Sequence, residues 1–305
     1  MRTAVLDFGT NTFNLLIAEK RAHGFEILYA GKEGVKLGRG GIHKRFITPE
    51  AMERGLSAIE KHYEIIRHYK AREVYAFATS AIRSAVNGSE FVLQAEKRFG
   101  MTIQVINGDR EAELIYRGVR EAVSFPVRKV MILDIGGGSN EFIICNRDQL
   151  FWKQSFDIGM ARVLEQFDLS DPITPEEIGL LERFYESELH PLFEAVKQFQ
   201  PEWLVGASGT FDTFRSLIKH KKGIRDDGRA GMEITTQDYE MIHRELLLST
   251  LRERKCMPGM EPVRVEMIVP ATIFVNFILR SCRIKKMVHS AYALKEGAMA
   301  ELTDR

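Results

Sequence analysis

Residues 7–17 read DFGTNTFNLLI and residues 134–144 read DIGGGSNEFII. Each segment opens on an aspartate, has a glycine two places later and a hydroxyl residue (Thr12, Ser139) five places later, and closes on three apolar residues. An apolar run precedes each one, Ala4-Val5-Leu6 and Val130-Met131-Ile132-Leu133. The pattern predicts a β-strand, a glycine-hydroxyl turn and a returning strand in both places. A third strand is expected over 25–30, after Gly24, and over 149–155, after the turn Asn146-Arg147-Asp148. A unit that recurs in this way indicates a duplicated α/β domain with a site between the copies.

Working outward, Thr48-Pro49-Glu50 is a helix start, followed by Met52, Leu56, Ile59, Tyr63, Ile66 and Tyr69 at helical spacing. Thr174-Pro175-Glu176-Glu177 is a capping box ahead of Ile178, Leu181 and Tyr185. Short buried strands are expected over 74–78, 103–106, 203–205 and 287–289, and a buried helix over 270–281. Strands alternating with helices place the chain in the α/β class. The Gly- and charge-rich stretch 221–232 is the expected mobile loop.

Composition narrows the function classes. The 305 residues are 45% hydrophobic and 28% charged, enough for sizeable cores. With 43 Lys and Arg against 42 Asp and Glu, no bulk charge draws nucleic acid or anionic lipid. No specific nucleic-acid or membrane partner is therefore expected. Cys145, Cys256 and Cys282 form no close-spaced pair, which argues against a disulfide framework or a structural zinc site. The N-terminus enters a strand at once without a secretory pattern, and the apolar stretch 267–279 is too short to span a bilayer, so a cytoplasmic location is expected.

The chemistry is expected in the turns. Gly136, Gly137 and Gly138 remove Cβ atoms, so backbone amides can approach an anion and adopt positive φ. Ser139 adds a hydroxyl donor, and Asp134 at the strand end suits Mg²⁺. Glu141 could reach the same metal or orient a water. The first copy supplies Asp7, Gly9, Thr10, Asn11 and Thr12 in matching places, so two turns could clamp a phosphate chain. Glycine turns also occur for geometry alone; the repeat favours the phosphate reading. Ser208, Gly209 and Thr210 form a third glycine-hydroxyl turn at a helix start, a place that favours an anion. Asp109 is expected to cap a helix with Glu111 in its first turn. Arg83, after another buried strand, could meet phosphate bidentately.

These segments, taken in order, resemble the exopolyphosphatase/guanosine pentaphosphate phosphohydrolase family of the actin and sugar-kinase superfamily. The resemblance covers nearly the whole chain: DFGTNTFNLLIAE at 7–19, KLGRGG at 36–41, ATSAIRSA at 78–85, GDREAELIYRGV at 108–119, DIGGGSNEF at 134–142, FDIGMARV at 156–163, VGASGTFDTF at 205–214 and SAYALKEGAM at 290–299. It implies two actin-like (ribonuclease H-like) domains, 1–124 and 125–290, with an interdomain cleft and a helix from about 291 to 305 packing back on the first. It also implies Mg²⁺ and hydrolysis of a terminal phosphoanhydride of inorganic polyphosphate or guanosine pentaphosphate. The water-activating base falls on Glu111, with Glu113 as the second candidate. Asp134, Glu141 and Asp7 would serve metal and water, and Arg83 the substrate phosphates.

The chain departs from the family pattern at Asn140, where threonine is common, and at Ala291, Tyr292 and Lys295 in the last motif. Two other readings stay open: an ATP-dependent small-molecule kinase of the same superfamily and a non-catalytic nucleotide- or alarmone-binding protein. A homodimer is an allowed assembly. The basic clusters 219–222 and 280–286 read as solvated faces or as a track for a long polyanion.

Overall fold

Strands β1 (Arg2–Phe8) and β2 (Thr12–Lys20) form a hairpin whose register pairs Asp7 with Asn14 and Phe8 with Phe13. A computed structural model describes residues 1–22, 24–226 and 228–303. In chain order there follow β3 (Phe25–Gly34), α1 (Pro49–His68), β4 (Glu73–Ala78), α2 (Ser80–Ser84), α3 (Gly88–Phe99), β5 (Ile103–Val105) and α4 (Gly108–Ala122). The second repeat supplies β6 (Val130–Ile135), β7 (Asn140–Cys145) and β8 (Leu150–Phe156). Beyond it lie α5 (Met160–Gln166), α6 (Pro175–Glu188), α7 (His190–Phe199), β9 (Trp203–Ala207), α8 (Ser208–Lys222) and β10 (Gly231–Ile234). The chain continues through α9 (Thr236–Leu248), α10 (Leu251–Cys256), α11 (Ile268–Ser281), β11 (Lys286–Ser290) and α12 (Leu294–Thr303).

Two units result. The first holds residues 1–121, 136–139 and 292–305, and the second holds 122–135 and 140–291. The first sheet runs β3-β2-β1-β4-β5 and the second β8-β7-β6-β9-β11, with β10 added at its edge. The central strands β1, β4 and β5 are mutually parallel, as are β6, β9 and β11. The duplication extends to an irregularity: a register shift falls between Ile17 and Ala18 in one copy and between Ile144 and Cys145 in the other. Both lie at the same distance from the leading aspartate, so the local kink belongs to the repeated unit.

Local chemistry explains the helix ends. Thr48 accepts a bond from Ala51 N at 3.2 Å, and Thr174 and Glu177 exchange the two bonds of a capping box. In α4 the cap is Asn107, whose Oδ1 accepts from Arg110 N at 2.8 Å, and Asp109 already lies inside the helix. The expected cap at Asp109 is thus one of this structure's corrections. An Asn three places ahead of an available amide closes the turn first.

In the first unit Ala4, Leu6, Phe8, Phe13, Leu56, Ile59 and Phe91 share one core. Val5, between two of those positions, is also fully buried, so both faces of the sheet are covered. Helix α12 packs on β1, β2 and β3, and it meets α4 with backbones in contact at Gly118 and Gly297. A Cβ at Gly297 would lie 1.8 Å from Leu114 O. In the second unit α11 is buried nearly all round, with Ala271, Phe274, Val275 and Ile278 inaccessible. That accounts for its apolar sequence without a membrane. Among the described residues no helix is long and apolar enough to cross a bilayer.

The stretch 221–232 is partly structured. Helix α8 continues to Lys222, β10 begins at Gly231, and Asp226 is tied by Arg215 and Lys219, both at 2.7 Å. Residue 227 of that stretch, and residues 304–305 of the expected last helix, lie outside the described residues.

Candidate active site

In the first unit the carboxyl ends of the parallel strands carry the candidates, the usual ligand position of an open α/β sheet. After β1, Gly9 N donates to Thr12 O at 3.1 Å and closes the turn, and Thr10, Asn11 and Thr12 are all buried. Residues 35–37 pin that turn from outside: Val35 N donates to Asn11 O at 2.8 Å and Leu37 N to Thr10 O at 2.7 Å. Asp7 accepts from Asn14 Nδ2 at 2.9 Å.

Arg83, after β4, donates through Nη1 to Ile106 O at 3.0 Å and to Glu111 Oε2 at 2.7 Å. Glu111 is 7% exposed, in the first turn of α4 just beyond β5. Glu113 points elsewhere: its side chain is 44% exposed and pairs with Arg110. Of the two, Glu111 is the buried carboxylate and the one bonded to Arg83.

The turn 136–139 belongs to the first unit although its flanking strands belong to the second. Gly136 N donates to Ser139 O at 3.0 Å, the same closure as Gly9 to Thr12. None of the three glycines has a positive φ, contrary to the sequence-based expectation. Proximity is what requires them. A Cβ on Gly137 would lie 2.1 Å from Asn11 Nδ2, and one on Gly138 would lie 2.5 Å from Ser80 Oγ.

In the second unit Asp134 is the penultimate residue of β6 and the direct register partner of Glu141 on β7. Both are buried, at 7% and 2% exposure. Directly opposite residues of a strand pair share one face, so two carboxylates stand together. Ser208 Oγ donates to Asp134 Oδ2 at 2.6 Å and Ser155 Oγ to Glu141 Oε1 at 2.7 Å, which orients each. Ser208 adopts φ +65°, in the left-handed region, where a non-glycine residue is held at a cost of about 1–3 kcal/mol. A hydrogen bond to a charged group, worth about 1.5–3 kcal/mol, is of the size needed to offset it.

Gly209 and Thr210 follow in the first turn of α8, where Thr213 Oγ1 donates to Gly209 O at 2.7 Å. The guanidinium of Arg264 lies against Gly209. Burial pulls Arg264 below its usual pKa, and Glu261, Asp212 and Asp134 act in the opposite direction. Sequence reasoning missed Arg264, Ser208's backbone strain, and the orienting roles of Asn14 and Ser155. A buried arginine inside an irregular segment has no periodicity to announce it.

The donor set at Asp134 and Glu141 fits Mg²⁺. Both offer hard carboxylate oxygens, and Mg²⁺ typically uses one or two carboxylates, retained waters and substrate phosphates. Among the described residues no group of three or more His, Cys, Asp or Glu gathers as an all-protein cage. The basic clusters, by contrast, are largely ion-paired: Lys219 with Asp226, Lys221 with Glu245, Lys222 with Asp238, Arg280 with Glu182 and Lys286 with Glu233. Those charges are thus engaged within the chain, and Lys219 is itself buried.

A model of the Ppx/GppA phosphatase family matches residues 16–305. The chain belongs to the Ppx/GppA phosphatase family. Among solved structures it is similar to an exopolyphosphatase from Cytophaga hutchinsonii at 36% identity and TM-score 0.97, covering 100% of this chain and 98% of that one. The Aquifex aeolicus PPX-GPPA enzyme shares the fold at 24% identity and TM-score 0.80, covering 100% and 99%. A putative exopolyphosphatase of Haemophilus influenzae is 27% identical over 299 residues, 98% of this chain and 90% of that protein. A bifunctional 3-dehydroquinate synthase/phosphatase of Fusobacterium nucleatum is 29% identical over 286 residues, 90% of this chain. The chain spans 43% of that last relative's length.

As a Ppx/GppA family member the protein is a phosphohydrolase of mixed α/β, actin-like architecture. Its departures from the family pattern have local accounts. Asn140 is buried and donates to Ile158 O at 3.1 Å. Lys295 neutralises the buried Glu296 at 2.8 Å, and Glu296 in turn accepts from Ala293 N at 2.9 Å. Ala291 N donates to Ala230 O at 2.7 Å, a bond that any non-proline residue would make. Burial raises the Tyr292 hydroxyl pKa, with Glu296 and Glu121 adding to the effect.

Proposed function

We propose that the protein releases the terminal phosphate of inorganic polyphosphate or guanosine pentaphosphate by Mg²⁺-assisted attack of water. The full-length likeness to the Cytophaga hutchinsonii exopolyphosphatase carries the substrate class. Phosphoryl transfer asks for positioning and charge neutralisation more than for covalent chemistry. The turns that Gly9 and Gly136 close are assigned to non-reacting phosphates through the amides at Thr10 and Asn11 and at Gly137 to Ser139, together with those at Ser208 to Thr210. Asp134 and Glu141 would hold Mg²⁺, which when bound neutralises phosphate oxygens. Asp7, already bonded to Asn14, is the lesser metal candidate.

Glu111 is the proposed base. It orients a water and takes its proton, while Arg83 holds the carboxylate through Oε2. Arg83 is therefore assigned to positioning the base ahead of contacting phosphate. A cytoplasmic location suits three free cysteines, of which Cys145 and Cys282 are buried and burial pushes the Cys282 thiol up to about 12.

The test is phosphate release from long-chain polyphosphate, guanosine pentaphosphate and ATP, with and without Mg²⁺. One of the first two should be cleaved in a Mg²⁺-dependent way, and Glu111→Gln should fold and bind but lose about 10²–10⁴-fold in turnover. ATP-dependent phosphorylation of an acceptor, without release from either substrate, would reverse the proposal.

A further inference from the structure

A cavity of about 500 Å³ at the amino ends of β1 and β4 is lined by Met1, Arg2, Lys70 and Arg72. Other cations of the first unit are paired, Lys61 with Glu33 and Arg98 with Glu60, whereas among the described residues no carboxylate pairs with Arg2, Lys70 or Arg72. Glu73, the acid next in sequence, accepts instead from Thr3 Oγ1 at 3.3 Å. In a chain with 43 basic and 42 acidic residues, composition alone does not produce such a cluster. Like charges around a concavity focus a positive field and raise the local concentration of anions.

Backbone bonds hold the three residues together. Helix α1 closes with Lys70 N donating to Arg67 O at 3.1 Å and Ala71 N to Ile66 O at 3.2 Å. Lys70 takes φ +54° there, at the position where glycine is the usual residue. Arg2 Nη1 donates to Tyr69 O at 2.9 Å, which engages one of the guanidinium's five donors. Arg72 N donates to Arg2 O at 3.1 Å and sets those two residues side by side ahead of parallel strands. Because β1 spans seven residues, the cluster lies about 20 Å from Phe8 and the turn beyond it. It is separate from the candidate active site. Its lining has no aromatic ring, so it selects for charge density and not for a base. Arginine forks match phosphate oxygens bidentately.

We propose that Arg2, Lys70 and Arg72 form an exosite that binds a segment of inorganic polyphosphate remote from the end being cleaved. This rests on the polyphosphate reading given above and adds to it a second, non-catalytic contact that favours long chains.

The experiment measures kcat and KM for tripolyphosphate and long-chain polyphosphate with the full chain, as wild type, Lys70→Gly/Arg72→Gln and Lys70→Arg/Arg72→Lys. Calorimetry without Mg²⁺ follows binding of long-chain polyphosphate, a DNA duplex and phosphatidylserine vesicles, and melting is recorded without ligand. The charge-removing pair should raise the long-chain KM about 10-fold and weaken long-chain binding alike, as for lost bonds to charged oxygens. Its kcat and its KM for tripolyphosphate should keep wild-type values, and the charge-keeping pair should match wild type throughout. Melting should hold or rise, because glycine suits the backbone at position 70 and like charges have been thinned. Unchanged long-chain KM and binding in the charge-removing pair would overturn the proposal, as would a loss confined to the duplex or the vesicles. An equal rise in both KM values would overturn it too, since the effect would then lie in the catalytic site. If the wild type cleaves no polyphosphate yet binds it in a way that needs these two cations, the substrate reading fails and the exosite stands.

Discussion

Across the first hairpin Asp7 faces Asn14, and the amide donates to the carboxylate at 2.9 Å; across the second, Asp134 faces Glu141, and a serine hydroxyl approaches each acid. The strand order, the closing bond from glycine to hydroxyl residue and the register shift are common to both copies. One side chain at one register position separates an aspartate bonded to an amide from a pair of acids suited to a cation. The scaffold is common to both copies, and the acid pair belongs to the second alone.

The largest expected effect breaks the second copy. Asp134→Asn or Glu141→Gln should reduce phosphate release by about 10²–10³-fold, as for loss of a charge-stabilising group, and raise the Mg²⁺ needed for half-maximal rate. Asp7→Asn should cost far less. Equal losses at Asp7 and Asp134 in a Mg²⁺ titration of the rate would erase the proposed division of labour.

A second change makes the first copy resemble the other. Asn14→Asp removes the donor to Asp7 and sets two carboxylates side by side, so stability should fall by about 1–3 kcal/mol. Added Mg²⁺ should recover part of that loss. Denaturant midpoints with and without Mg²⁺ read it out, and an unchanged midpoint would mean that the Asn14–Asp7 bond does not stabilise the hairpin.

The smallest effect is shared by both units. His62 in the first donates through Nε2 to Phe13 O at 3.0 Å and is buried. His243 in the second lies 3.0 Å from Thr272 Oγ1 and stacks on Tyr239. Burial lowers both pKa values, with Arg280 and Arg244 adding to the effect at His243. The folded state then binds fewer protons than the unfolded one between the lowered values and about 6.5. Their contribution to stability is complete above about 6.5 and is lost as pH falls through the folded-state values. Melting curves from pH 8 to 5 should slope downward, and His62→Gln should flatten the slope. A melting temperature that climbs on acidification would contradict this.

Features that depend on residues close in sequence were readable in advance. The glycine-hydroxyl repeat, the strands of both meanders and the caps at Thr48 and Thr174 are of this kind. Asn107 was passed over because Asp109 offers the same chemistry two places on, and only backbone geometry decides between them. Partnerships across long separations left no trace: Ser208 with Asp134, Arg264 against Gly209, and Ser80 beside Gly138. Each is created when strand ends are gathered by the sheets, and no spacing encodes it. The reason for the triple glycine was also misread, because positive φ is a local property whereas the crowding by Asn11 and Ser80 is not.

Helix α12 covers β1, β2 and β3 and touches the α4 backbone, yet it is synthesised after the whole second unit. On the ribosome the β1–β2 hairpin must therefore wait, with one face of its sheet uncovered, until roughly 270 residues have followed it. Meanwhile the second unit can complete its own core from contiguous chain around α11. The order of maturation is then the reverse of the order of translation. The segment bearing Glu111 gains α12 as a packing partner only after the whole second unit has been made.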